Sequence, residues 1–209
     1  MSARIQQLRA DIAAAALPLF LARPGASIPL REVAAAMGVD FFVVYRQFAD
    51  RDRLYQAAVT PLVDGIATRA AAAPRKPRSV GDAVTGQLRH IAELFQTRAY
   101  RELLYLVMRD GALQPWLEDA YRTRIAAPLE RGIEAAVRRG GEALGMTVGI
   151  HPGTAARVLR QLEATLVAPA LLPGAEAVLP ADVEAARDMA ARRLMAATYA
   201  VDLTEPVAA

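Results

Sequence analysis

The sequence predicts an all-α protein, and three observations lead to that prediction. Apolar residues make up 54% of the 209 residues, which is enough to form a core and argues against disorder. Ala, Leu, Arg and Glu, which are strong helix formers, recur along the whole chain. Runs of β-branched or aromatic residues are few, so helices account for the apolar pattern better than strands.

The first helix is expected over about residues 2–21, with an apolar stripe that extends from Ile5 to Phe20 at helical spacing. Pro18 lies inside it and is expected to remove one backbone hydrogen bond and bend the helix. That change costs about 3 kcal/mol if nothing relieves it. Pro24 then ends the helix together with the glycine that follows it.

A helix-turn-helix is predicted at about residues 29–48. Its first helix is expected over 30–37, where Gly38 suits the left-handed conformation that ends a helix tightly. Asp40 is the expected N-cap of the next helix, over 41–48.

The core of this segment follows from helical spacing. Val44 and Phe48 are four residues apart and share a face, so they are expected to pack against Phe20 and Val33. Asp50 is expected to cap a fourth helix that continues towards residue 73.

Residues 74–78 read PRKPR and form the clearest boundary in the chain. We therefore expect a small basic helical domain over 1–55 that contains the helix-turn-helix, a connecting helix and linker over 56–78, and a larger, nearly neutral helical domain over 79–209. Pro128 is expected to kink the longest of the later helices. The helices expected in the last domain are, approximately, 79–96, 98–110, 114–140, 152–172 and 181–202.

The composition excludes several kinds of site. The chain has no cysteine, so it has no disulfide or thiolate zinc site, and its two histidines, His90 and His151, are too far apart in sequence to suggest a metal site. We find no nucleophile–base or acid pair at a catalytic spacing, so no enzyme, metal or cofactor is expected. No signal peptide is recognised, and the longest apolar stretch, 12–22, is about half of the roughly 20 residues that cross a bilayer. We therefore expect a cytoplasmic protein without a membrane partner.

The charge is distributed unevenly. Residues 1–78 carry 11 basic and 6 acidic side chains, a net charge of +5, whereas residues 79–209 carry 14 basic and 16 acidic side chains, a net charge of −2. The positive part coincides with the helix-turn-helix, as attraction to phosphates requires, although an ordinary solvated surface also explains an excess of this size.

The spacing of these residues resembles the TetR family of bacterial transcriptional regulators. The match covers about residues 9–55 residue by residue and the remainder only by helix layout. The residues that carry it are Ala15, Ala16, Leu17, Leu19, Phe20, Gly25, Val33, Ala34, Gly38, Val39, Tyr45, Phe48, Arg51 and Leu54. The resemblance implies a ligand-responsive regulator, expected to be a repressor, that binds a pseudo-palindromic operator as a homodimer and is released by a small apolar or amphipathic effector.

The resemblance also implies which residues contact double-stranded DNA. Tyr45 and Arg51 are expected to contact phosphates, and Arg46 and Gln47 to reach phosphates or base edges. Ile28 and Pro29 stand where family members often carry a threonine or serine at the start of helix two, so a phosphate-binding hydroxyl is absent there unless Ser27 supplies it. The alternative for these positions is an exposed polar face without a partner.

Three apolar residues occupy the base-reading end of the third helix, where the family usually has small or polar residues: Phe41, Phe42 and Val43. Three interpretations remain open. The side chains contact thymine methyl groups, or Phe41 turns inward as core, or the motif has lost sequence-specific binding. The last of these is the alternative function, a TetR-like helical protein that acts through protein or ligand contacts.

The resemblance also implies that residues 79–209 form a ligand-binding and dimerisation domain and that residues 1–55 form the DNA-binding domain. Aromatic, Met and Leu side chains are the candidates for an apolar effector pocket, although such residues at helical spacing also form core. These candidates are Leu94, Phe95, Leu104, Tyr105, Met108, Trp116, Leu117 and Tyr121. The last two helices are expected to form the dimer interface, or else core within one subunit, through Val158, Leu162, Leu166, Leu194, Met195 and Tyr199.

Overall fold

A computed structural model describes residues 3–72, 80–143, 145–171 and 178–200. Within these ranges the chain is helical apart from turns and one short antiparallel pair of strands, so the predicted all-α class is confirmed. In chain order the helices are α1 (Ala3–Ala22), α2 (Leu30–Met37), α3 (Phe41–Gln47), α4 (Arg51–Ala70), α5 (Val80–Phe95), α6 (Arg98–Asp110), α7 (Pro115–Tyr121), α8 (Ala127–Glu142), α9 (Thr154–Leu166) and α10 (Pro180–Ala196). The strands are β1 (Val148–Ile150) and β2 (Thr198–Ala200).

The chain forms two compact units. The first comprises residues 1–65 and 102–119, and the second comprises residues 66–101 and 120–209. The first unit thus includes a segment, 102–119, that the sequence analysis assigned to the ligand domain. The functional boundaries at residues 55 and 78 remain a prediction.

The first unit is centred on the side chains expected to form its core. Phe20, Val33, Val44 and Phe48 are each at most 1% exposed. They come from α1, α2 and α3 and from the residue that ends α3, so burial of apolar area holds the helix-turn-helix to the first helix. α1 is continuous through Pro18.

The second unit is a helical bundle in which α5 packs on α8 and α9 packs on α10. Its fully buried aliphatic side chains lie at helical spacing, among them Leu88, Ile91, Leu129, Ile133 and Leu162. The two strands belong to this unit and pair antiparallel, with Val148 opposite Ala200 and Ile150 opposite Thr198.

The helix predicted over 114–140 is interrupted by a π-helical turn at Arg122–Ala126. The N–H of Ala127 donates to the carbonyl of Arg122, five residues earlier. Pro128 follows directly, and in a regular helix its ring would collide with the carbonyl of Arg124. The wider π turn relieves that collision, so the expected disturbance precedes the proline.

Two other predicted helices end early. α9 ends at Leu166 because Pro169 has no N–H to continue the hydrogen-bond pattern, and a 3₁₀ turn follows at Ala168–Leu171. α10 ends at Ala196, and the next residues form β2, whose Thr and Tyr favour strands. In the described ranges, no helix is long and apolar enough to cross a membrane.

Candidate nucleic-acid interface and effector region

Local hydrogen bonds shape the turn between α2 and α3 as the sequence predicts. Gly38 has a φ of +65°, and the N–H of Val39 donates to the carbonyl of Ala34 over 3.0 Å, which closes the end of α2. Asp40 caps α3, because its carboxylate accepts from the N–H of Phe42 over 2.7 Å. The turn is therefore specified by two residues with well-defined conformational preferences.

α3 buries one face and presents the other to solvent. Val44 is fully buried, whereas Phe42 is 63% and Tyr45 is 52% exposed. Arg46 is also exposed, and Phe41 is half-buried. The exposed side of α3 thus carries aromatic rings and a cation, which suits contact with both base edges and phosphates.

The aromatic side chains of α3 form a cluster. The ring of Phe41 lies 5.7 Å from that of Phe42 and 5.7 Å from that of Tyr45. The guanidinium of Arg31 lies over the Phe41 ring at 5.4 Å. Phe41 is therefore neither core nor fully exposed, and it supports the two rings beside it. Val43, the third apolar residue at this end, is half-buried.

Arg31 is an exposed cation next to the candidate interface. It was not among the residues predicted to contact DNA. Its position in the sequence could have indicated a DNA contact, because Arg31 is the second residue of α2 and a helix-turn-helix holds the start of α2 near α3. A lone arginine on a short helix is also common on any solvated protein surface, so the sequence alone did not distinguish it.

Arg9 holds the far end of α3 in place. Its guanidinium donates to the carbonyl of Gln47 and lies 4.4 Å from the centre of the Phe48 ring. The Gln47 side chain is half-buried, and its backbone carbonyl takes part in this anchor. Gln47 thus has a structural contact in addition to its predicted role.

Ser27 and Arg51 each have a partner within the protein. The Ser27 hydroxyl donates to the carbonyl of Pro24 over 2.7 Å, so a phosphate would have to compete for that proton. The guanidinium of Arg51 lies 3.2 Å from the Asp52 carboxylate, with 38% of its side chain exposed. Asp50 caps α4 as predicted, accepting from the N–H of Arg53 over 2.7 Å, and so occupies one amide at that helix end.

A small open cleft of about 150 Å³ lies beside Arg51 in the first unit. Its lining includes the polar side chains of Asp52, Tyr55, Asp110 and Gln114. Its volume is below the roughly 300 Å³ at which pockets for drug-sized ligands begin, so it does not match the predicted apolar effector pocket.

A buried polar network forms the wall of this cleft. Asp110 is 3% exposed and accepts from the Tyr55 hydroxyl over 2.8 Å and from Arg109 over 2.7 Å. Arg109 also donates to the carbonyls of Phe20 and Leu21 at the end of α1. The network thus joins the ends of α1 and α6 to Tyr55 near the start of α4.

The network alters the ionisation of its members. Burial alone would raise the pKa of the Asp110 carboxyl, but hydrogen bonds from Arg109 and Tyr55 outweigh burial and lower the pKa below its usual value. Burial, with the hydrogen bond to Asp110, raises the pKa of Tyr55 far above its usual value. Asp110 is therefore held as a carboxylate and Tyr55 as a neutral phenol.

The predicted effector residues divide between the two units. Leu104, Tyr105, Met108, Trp116 and Leu117 belong to the first unit, and Leu94, Phe95 and Tyr121 belong to the second. Leu94, Phe95 and Leu117 are fully buried and Leu104 nearly so, whereas Met108 is 68% exposed. The guanidinium of Arg109 lies over the Tyr105 ring, and the Trp116 indole donates to Gln114.

Tyr121 lies in a cluster that the sequence analysis did not foresee. Its hydroxyl donates to Glu163, and the Tyr100 hydroxyl donates to the same carboxylate oxygen over 2.5 Å. Burial, the charge of Glu163 and the hydrogen bond to it raise the pKa of Tyr121 far above its usual value. Both phenols are therefore neutral donors to Glu163.

Most of the predicted dimer residues are core of a single chain. Val158, Leu162, Leu166 and Leu194 are each at most 2% exposed, which corresponds to the alternative that the sequence left open. Side chains that are already buried have no area left for a partner. Met195 is 58% exposed, and the Tyr199 side chain lies outside the described residues.

Comparisons with known proteins agree on the fold. No family model and no curated protein matches the sequence. A protein from Mesorhizobium loti assigned to the TetR family of transcriptional regulators has 18% identity and a TM-score of 0.64, with 94% of this chain and 99% of that one covered. A TetR-family regulator from Pseudomonas syringae pv. tomato has 16% identity and a TM-score of 0.61, with 97% of this chain and all of that one covered.

A third solved structure, the flavonoid-responsive regulator FrrA, has 15% identity and a TM-score of 0.62, with 91% of this chain and 96% of that one covered. The three alignments cover nearly the whole chain and extend beyond the helix-turn-helix. This chain has the fold of the TetR-family transcriptional regulators.

Proposed function

We propose that this protein is a transcriptional regulator that binds a pseudo-palindromic DNA operator as a homodimer and responds to a small effector. The observation that carries the proposal is the exposed face of α3, where Phe42, Tyr45 and Arg46 project from a helix whose other face is buried. A rigid helix that presents such a face suits a major groove, which is wide enough to admit it.

Positive charge around α3 supports the same proposal. Arg31 lies beside the aromatic cluster, and Arg51 begins α4, which follows α3 directly. Cations near α3 would fix its register on the phosphate backbone without reading sequence. Solved proteins with a similar fold are transcriptional regulators, which also supports this function.

The decisive experiment is a mobility shift with DNA from around the protein's own gene. We expect specific binding that weakens steeply as salt rises, because phosphate contacts release counterions. Arg51→Ala is expected to weaken binding to all sequences by about tenfold and to reduce the salt slope by about one.

Arg138→Ala is the matched control, since it removes the same charge from an exposed position on α8, a helix without predicted DNA or dimer contacts. It should leave binding unchanged. Absence of any DNA binding at low salt would contradict the proposal.

A second candidate function is favoured by one observation, the 63% exposure of Phe42. An exposed phenylalanine backed by two further rings also suits a protein partner. In that case the protein would retain the fold without operator binding, and the mobility shift would find no DNA complex.

A further inference from the structure

We propose that Asp52, held in place by Gln114, occupies the guanidinium of Arg51 in the free protein and so weakens the contact of Arg51 with DNA. Asp52 and Gln114 are then positioning residues that set how tightly the protein binds a phosphate backbone. The inference rests on the proposed DNA binding, but the restraint on Arg51 itself can be measured without DNA.

The first argument is the way in which the Arg51 side chain is held. Its Nε and one of its terminal nitrogens lie 3.3 and 3.2 Å from the same carboxylate oxygen of Asp52. Carboxylates and phosphates both offer charged oxygens that match the geometry of a guanidinium. A DNA phosphate that reaches Arg51 therefore has to displace Asp52 or share the guanidinium with it.

The second argument is that the Asp52 carboxylate is itself held by α7 and the turn before it. The side-chain amide of Gln114 donates to the same oxygen of Asp52 over 3.2 Å, and its amide oxygen accepts from the Trp116 indole over 2.9 Å. The backbone N–H of Gln114 donates to the carbonyl of Asp110 over 2.9 Å. All of these residues belong to the first unit. A carboxylate that is already fixed competes for a guanidinium better than one that has to be ordered first.

The third argument is that the ion pair is open to solvent. The side chains of Arg51 and Asp52 are 38% and 58% exposed, and with Gln114 they line the small open cleft. Exposed ion pairs contribute little net free energy, so a phosphate backbone can separate this one. The pair is therefore expected to lower the affinity for DNA without preventing binding.

Two alternative roles for Asp52 make different predictions. A negative charge in the first turn of α4 also stabilises that helix through its dipole, and in that case Asp52→Asn would lower stability without tightening DNA binding. Direct repulsion of phosphates by the carboxylate would tighten binding in Asp52→Asn even when Arg51 is absent. The proposed role predicts tighter binding only when Arg51 is present.

The test measures the fluorescence anisotropy of a labelled duplex from around the protein's own gene, at one low salt concentration. Asp52→Asn is expected to bind about threefold more tightly than the wild type, which is the size of effect that an exposed ion pair allows. Glu118→Gln is the matched control, because it removes the same charge from an exposed position on α7 in the same unit. It should bind like the wild type, and circular dichroism checks that each variant is folded.

The decisive comparison repeats the substitution without Arg51. Arg51→Ala and the double variant Arg51→Ala, Asp52→Asn should bind DNA equally, since Asp52 then has no guanidinium to occupy. Gln114→Leu should tighten binding by less than Asp52→Asn does, and should add nothing when combined with it. If Asp52→Asn is unfolded, Gln114→Leu is compared with and without Arg51 in its place.

Phenylglyoxal, which condenses with guanidinium groups, tests the restraint without DNA. Peptide mass spectrometry should find Arg51 labelled faster in Asp52→Asn than in the wild type, because the carboxylate no longer engages two of its nitrogens. Arg138 is exposed on α8 and should be labelled at the same rate in both proteins.

Where the wild type binds DNA, the proposal is overturned if folded Asp52→Asn binds no more tightly, or if the gain keeps its full size without Arg51. It is equally overturned if Arg51 is labelled at the same rate in both proteins. Failure of the wild type and of every variant to bind DNA would contradict the proposed function instead. The labelling rates alone would then decide whether Asp52 restrains Arg51, so the two proposals fail separately.

Discussion

Phe42 is the residue whose surroundings say most about how the protein would read DNA. Its ring is 63% exposed, and Asp40 fixes the backbone on which it stands. Phe41 supports the ring from the side at 5.7 Å. An apolar ring held outward in this way can contact the methyl group of thymine, which is the only apolar group at the edges of bases in the major groove.

Replacing Phe42 with alanine should therefore remove a preference for thymine at one position in each half-site. Once an operator is known, the measurement compares thymine with deoxyuracil, which lacks only the methyl group. We expect the wild type to lose about 0.8 kcal/mol per half-site on that exchange, and Phe42→Ala to lose nothing. Tyr45→Phe is the control, since it should weaken binding to the thymine and deoxyuracil DNAs equally. If Phe42→Ala still binds the deoxyuracil DNA more weakly than the thymine DNA, another residue contacts the methyl group.

At this scale the sequence is a good guide where a residue acts through its own backbone. Gly38, Asp40 and Asp50 have the predicted conformation or cap, because their preferences arise from neighbours within three residues. Tyr55 and Asp110 are 55 positions apart, and no local rule links them. For the same reason, the sequence did not indicate that Tyr100 and Tyr121 contact Glu163.

Among the elements, the end of α6 is the place where side chains connect three helices, α1, α4 and α6. Arg109 and Asp110 are its last two residues, and between them they reach α1 and α4. Asp110 is nearly inaccessible to water, so its charge depends on those partners. We expect this junction to contribute strongly to the stability of the first unit.

Asp110→Asn should lower the free energy of unfolding at pH 7 by about 3 kcal/mol, because it leaves Arg109 without its buried partner. The pKa of Asp110 is lowered in the folded state, so its contribution is complete above its unfolded value of about 3.9. The contribution is lost as the pH falls through the folded value. Urea unfolding between pH 7 and pH 2.5 should therefore find the difference between wild type and variant shrinking below about pH 4.

Asp188→Asn is the control for this experiment, since Asp188 is exposed on α10. Its effect should be small at every pH. A constant difference between Asp110→Asn and the wild type down to pH 2.5 would contradict the assignment of charge to Asp110.

Element boundaries were predictable where strong helix breakers stand. α2 covers the predicted residues 30–37, and α6 covers the predicted 98–110. The strands β1 and β2 were missed, because three residues are too few for a periodic pattern and β2 continues an alanine-rich helix. Pairing between residues 48 to 52 positions apart decided their conformation.

For the whole molecule, the fold was predictable because a signature over residues 9–55 implies a known architecture. The dimer surface was less predictable, since the sequence pattern of a leucine stripe is the same whether its side chains pack within one chain or against a partner chain. Burial of Val158, Leu162 and Leu166 leaves the exposed parts of α9 and α10 as the remaining candidates. Met195 is the predicted interface residue with the largest described exposure.

We expect the protein to sediment at twice its chain mass of 22.4 kDa. Met195→Arg should shift that equilibrium towards monomer, because a buried unpaired charge opposes association. Met108→Arg is the matched control, since Met108 is 68% exposed on α6 and was not predicted to contact a partner. An unchanged dimer in Met195→Arg would place the interface on another surface.

The π turn at Arg122–Ala126 has a consequence for comparing this chain with others. A hydrogen bond that spans five residues instead of four accommodates one more residue than a regular helical turn. An alignment with a relative whose helix is uninterrupted should therefore carry a gap of one position between residues 121 and 127. Without that gap, every position assigned to α8 would be compared with its neighbour, which lies about 100° further round the helix.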